Sequence, residues 1–111
     1  MEIFSGKSYE RKRDLVRDII SVYEKNYATT SKIIETYRNN ILPKERAGLD
    51  SSKHAETVDD LIYIRDDSEY QIALMGDLLK SPILHLKSES KMRSQLENLR
   101  AESQVLASAK V

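Results

Sequence analysis

The chain has 111 residues with 18 basic and 18 acidic side chains, so its formal net charge is zero and a generally basic surface for nucleic acid or anionic lipid is excluded. It has no cysteine, which excludes disulfides and thiolate zinc sites, and its longest apolar runs of four residues are too short to span a membrane. Charged residues make up 32% and apolar residues 40%. This excess of surface over core favours a single elongated helical domain over residues 1–111.

The first predicted helix runs from about residue 8 to residue 41 and carries the strongest pattern in the chain. Its apolar, aromatic and threonine side chains alternate at spacings of four and three, which keeps them on one face of an α-helix that packs lengthwise against another helix. A second apolar line lies beside this stripe in the first half and indicates more than one packing neighbour. The stripe consists of Val16, Ile20, Tyr23, Tyr27, Thr30, Ile34, Tyr37 and Ile41, and the second line of Leu15, Ile19 and Val22.

Two further helices follow the first. Pro43 ends the first helix, and residues 43–53 form a connection. The second helix is predicted over about residues 53–80 and the third over about residues 82–107. Between them, Ser81 and Pro82 match an N-cap followed by proline at the first helical position, although a single helix kinked at Pro82 is the alternative. The predicted fold is therefore all-α: a long antiparallel hairpin with a third C-terminal helix, as a three-helix bundle or a coiled-coil-like oligomer.

Charge and polarity give the hairpin a register. Residues 47–79 have a net charge of −6, and the segments on either side have +3 each, so an acidic second helix can pack against two basic neighbours. If the first two helices fold back near Gly48, Thr30 faces Arg65, and both helices become polar at the same height. We predict that Thr30 and Arg65 form a polar layer that specifies this register. The alternatives are that Arg65 points to solvent or contacts a partner.

The apolar stripes favour a non-enzymatic protein–protein interaction module. A thin stripe on the third helix suits one partner helix, and tyrosines on the first helix suit a partly hydrated interface. We therefore predict self-association, most simply as a dimer, or binding of a partner helix, as in an adaptor, assembly factor or chaperone-like protein. The predicted association residues are Tyr23, Tyr27, Ile34, Met92, Leu96 and Leu99.

An alternative function is that of a small dimeric nucleic-acid-binding accessory protein. The first predicted helix begins with a cluster of basic side chains, which a two-fold axis would double. Interleaved acidic residues weaken its field and favour an ordinary charged helix end. The cluster consists of Arg11, Lys12, Arg13 and Arg17.

Catalytic and metal-binding patterns are weak. The pairs at residues 59–60 and 66–67 place four aspartates on one helical face, which could bind a divalent cation or dock a basic partner but is most simply a solvated acidic face. His85 and Glu89 are one turn apart, but neither set has the ligand number or spacing of a known metal site. We predict no catalytic residue, no metal and no cofactor. Residues 1–6 lack the features of a signal peptide, and with the absence of cysteine this favours the cytoplasm.

Overall fold

A computed structural model describes residues 7–41 and 52–108 of the chain. Helix α1 spans Lys7–Thr36 and continues as a π-helical segment, Tyr37–Ile41. Helix α2 spans Ser52–Lys80, a short 3₁₀ helix spans Pro82–Leu86, and helix α3 spans Glu89–Ala107. The described residues contain no β-strand, so the predicted all-α class is confirmed. Residues 42–51, which include most of the predicted connection, lie outside the described residues.

The three helices form an elongated bundle of 69 × 21 × 16 Å in which α1 packs against both α2 and α3. Two apolar clusters show how they run. One joins the first half of α1 to the end of α2 and the beginning of α3, around Val16, Leu84 and Met92. The other joins Ile34, Leu61 and Leu106. Helix α2 is therefore antiparallel to α1, and α3 returns parallel to α1. The pairing of Ile34 with Leu61 agrees with the predicted register.

The chain reverses direction at residues 81–88, which decides between the two interpretations of Pro82. Ser81 caps the 3₁₀ helix, accepting a hydrogen bond from the Ile83 backbone N–H at 3.2 Å, and the Leu84 side chain is fully buried. Ser88 then caps α3, accepting from the Lys91 N–H at 3.3 Å. The expected start signal at Ser81–Pro82 is thus present. It begins only a short 3₁₀ turn, however, and the long helix starts seven residues later under a second serine cap.

The buried face of α1 differs in part from the predicted stripe. Ile19 and Asn26 are buried where Ile20 and Tyr27 were expected; Ile20 is half-buried and Tyr27 is 38% exposed. The physical reason is that α1 contacts two helices, so the centre of its buried face lies between them. The second apolar line of α1 does pack against the first cluster, as predicted. The predicted stripe members Val16, Tyr23, Thr30, Ile34 and Tyr37 are buried, and the side chain of Ile41 lies outside the described residues.

Candidate interaction surface

Most of the predicted association residues are buried within the single chain. Helix α1 contributes Tyr23 and Ile34 to the two clusters, and α3 contributes its thin apolar stripe, so that α3 uses this stripe to close the bundle. Only Tyr27 remains exposed. The other five predicted association residues could contact another molecule only if the bundle opened. The buried stripe of α3 consists of Met92, Leu96 and Leu99, followed by Ser103 and Leu106.

Tyr23 keeps its hydroxyl at the edge of the core. Gln95 Nε2 donates a hydrogen bond to the Tyr23 hydroxyl at 3.5 Å, beside an open groove of about 450 Å³ along α3. Burial raises the pKa of Tyr23 above 10.0; the Gln95 hydrogen bond lowers this pKa, and the charges of Asp67 and Glu102 raise it further. The neutral phenol is therefore favoured. This arrangement fits a core tyrosine whose polar end reaches the rim of the bundle.

The basic cluster at the start of α1 mostly serves the fold. Arg11 Nε donates to Glu89 Oε1 at 2.7 Å, and Lys12 Nζ donates to the His85 carbonyl oxygen at 2.8 Å. These two contacts fasten the reversal at residues 81–88 to α1. The Arg11 hydrogen bond holds the pKa of the Glu89 carboxyl below its usual range.

The other two basic residues of this cluster remain on the α1 surface. The Arg13 guanidinium lies 5.9 Å from the centre of the Tyr9 ring, and Arg17 pairs with Asp14 at 3.5 Å. All four basic side chains of the cluster therefore have contacts within the chain, while Arg11 and Arg17 remain about half-exposed.

A polar layer interrupts the core, with a different membership from the one predicted. Thr30 is completely buried in it, but Arg65 is only partly buried and its Nε lies 3.3 Å from Asp66 Oδ1. The fully or nearly fully buried members are Asn26, Thr30, Ser68 and Ser103, and along its own helix each lies between the residues of the two apolar clusters.

Hydrogen bonds in this layer stay within single helices. Thr30 Oγ1 donates to the Asn26 carbonyl oxygen at 2.7 Å, and Ser68 Oγ donates to the Ile64 carbonyl oxygen at 2.7 Å. Asn26 is 1% exposed, and its Oδ1 has no hydrogen-bond partner among the described residues. The layer therefore weakens the core at mid-length.

The outer face of α2 carries the surface that the sequence interpretation missed. Tyr63, Tyr70 and Leu74 are 73%, 61% and 42% exposed, and their spacings of seven and four residues place them in one line along the helix. This line, which we call the α2 stripe, lies on the opposite side of α2 from its buried Leu61 and Ser68. The heptad spacing was visible in the sequence, but spacing does not show which face of a helix its neighbours cover.

Acidic side chains flank the α2 stripe on both sides. Asp59, Asp66, Asp67 and Asp77 each lie three or four residues from a stripe residue, and such positions are neighbours on a helix surface. Of these four aspartates, only Asp66 forms an ion pair with another described residue, the adjacent Arg65. The surface is therefore apolar along its centre and negative along its edges.

At its C-terminal end, the α2 stripe is continuous with an apolar hollow. Leu74, Leu78 and Ile83 form the apolar lining of an open hollow of about 380 Å³ between the end of α2 and the 3₁₀ helix, and Asp77 and Lys87 also border it. Ile83 is also among the exposed large hydrophobic residues of the described chain. The exposed apolar surface thus extends from the middle of α2 to the reversal.

The described residues contain no group of three or more histidine, cysteine, aspartate or glutamate side chains placed to hold a metal ion. They also contain no helix long and apolar enough to span a membrane. The fold is that of an elongated three-helix bundle. Comparison with protein-family models, with curated proteins and with solved structures finds no match.

Proposed function

We propose that this chain is a non-enzymatic protein–protein interaction module of the adaptor, assembly-factor or chaperone-like kind, and that it acts in the cytoplasm. The single observation that carries the proposal is the α2 stripe, because Tyr63, Tyr70 and Leu74 are exposed on one line of a helix whose other side is already packed. Exposed apolar surface with a polar border is characteristic of contact sites.

The proposal moves the contact surface from the predicted residues to α2. Met92, Leu96 and Leu99 stabilise the bundle from within, whereas the α2 stripe is accessible without any opening. Self-association remains part of the proposal only if two copies meet through surfaces that are exposed on the single chain. The nucleic-acid alternative has little support, since Arg11 and Lys12 bind the reversal segment and Arg17 pairs with Asp14.

A crosslinking experiment tests the proposal at residue level. A photoreactive side chain at position 70 in the intact chain should crosslink to another protein or to a second copy in cells, and the same group at exposed Glu97 on α3 serves as the matched control. Replacing Leu74 with serine should reduce the crosslinks from position 70. Equal labelling from both positions, unaffected by Leu74→Ser, would show that α2 is not the contact surface.

A further inference from the structure

We propose that the occupant of the α2 stripe is a basic amphipathic helix of a different protein. This inference rests on the proposed function and adds the chemistry of the partner. Tyr63 and Leu74 are eleven positions apart in the sequence, which corresponds to about 17 Å along the helix axis. A partner helix of about three turns has the same length. Such a helix would place its apolar residues over Tyr63, Tyr70 and Leu74.

The aspartates beside the α2 stripe favour a partner with positive charge. Asp59, Asp67 and Asp77 have no ion pair among the described residues and flank the stripe on both sides. Lysine or arginine at the edges of an approaching helix would pair with them and would steer its association. An anionic membrane or a nucleic acid would instead be repelled by this face.

The same charges disfavour a second copy of this chain. A two-fold contact between two α2 stripes would bring the aspartates of one copy against the aspartates of the other, because a two-fold interface uses the same surface on both sides. The exposed faces of α1 and α3 also offer no matching apolar line: each has one exposed large hydrophobic residue among those described, Tyr27 and Val105. The contact is therefore between unlike surfaces.

The exposed area predicts a weak and reversible contact. From their exposed fractions, the three stripe residues present on the order of 300 Å². A standard stable interface buries about 800 Å² on each partner. A single helix on this stripe would therefore bury much less area than a standard interface, which is typical of transient contacts.

The test uses the full chain and a fluorescent 18-residue peptide of leucine and lysine in amphipathic helical order. One control peptide has glutamate at every lysine position, and another has the same residues in scrambled order. We expect one lysine peptide to bind per chain, at least tenfold more tightly than either control, with affinity that falls as salt is raised from 50 to 300 mM.

Two pairs of variants locate the binding. Combining Tyr70→Ser with Leu74→Ser should weaken binding at least tenfold, and Val105→Ser on α3 should not change it. Combining Asp67→Asn with Asp77→Asn should reduce the salt dependence, and Asp18→Asn on α1 should leave it unchanged. These side chains are at least partly exposed, so the fold should persist, which circular dichroism can verify.

Three results would overturn the inference: equal binding of the glutamate or scrambled peptide, binding that survives the stripe variants, or a dimer in light scattering that those variants abolish. If position 70 still crosslinks to a protein in cells, any of these results leaves the proposed function in place and rejects only the basic helix as partner. If the crosslink also fails, both proposals fail.

Discussion

Replacing Asn26 with leucine should raise the free energy of unfolding, because a polar side chain is buried at this position in the middle of α1. Asn26 is 1% exposed, and its Oδ1 has no hydrogen-bond partner among the described residues. Removing an unsatisfied buried polar group recovers about 1–3 kcal/mol, and the extra volume of leucine offsets part of this gain. We expect a net increase of about 1–2 kcal/mol from these two effects.

The control for this change is Asn98→Leu on the exposed surface of α3. It measures the gain in helix propensity alone, which is about 0.5 kcal/mol. Urea unfolding followed by circular dichroism gives both free energies, provided that the dependence on urea keeps the same slope. A destabilised Asn26→Leu chain beside a normal control would refute the reasoning, because it would mean that the amide is satisfied in its buried position.

Asn26→Asp preserves the shape of the side chain and adds a charge, so it separates polarity from packing. Burial should raise the pKa of the introduced carboxyl in the folded chain above its unfolded value of about 3.9. The loss of stability should therefore be absent below about pH 4 and should grow as the pH rises, reaching roughly 1–4 kcal/mol at pH 7. A pH-independent loss would point to packing instead.

The raised pKa of Tyr23, the open space beside Gly76 and the Arg11–Glu89 ion pair can each be tested by one substitution. Because the pKa of Tyr23 is raised in the folded chain, its contribution to stability is complete below about pH 10 and declines above it; Tyr23→Phe should flatten this alkaline loss in urea midpoints, and an unchanged profile would contradict the assignment. A Cβ at Gly76 would meet nothing within 4 Å, so Gly76→Ala should stabilise α2 by about 0.5–1 kcal/mol in thermal unfolding, and a loss would reveal an unseen contact. Arg11→Gln should raise the pKa of Glu89 towards its ordinary value in an NMR titration. An unchanged pKa would mean that Arg93, whose Nη2 lies 3.7 Å from Glu89 Oε1, lowers the pKa instead.

Local patterns in the sequence were sufficient for the helices themselves. The alternating spacing of four and three in α1 predicts a helix because it depends only on the helical repeat. The start signal at Ser81 and Pro82 was likewise readable, since a cap involves residues two or three positions apart. The register of α1 against α2 could also be predicted from the sequence, because the polar segments of the two helices had to lie opposite each other.

Only the tertiary structure decided which face of each helix is covered by the other helices and which face remains exposed. Periodicity places Met92 and Leu96 on one face of a helix, but the chain reversal at residues 81–88 turns that face onto α1 instead of towards another molecule. The same spacing on α2 leaves Tyr70 and Leu74 exposed, because α1 already covers the opposite side. The burial of a helix face depends on where distant helices pack, and that arrangement is a property of the whole chain and not of any single helix.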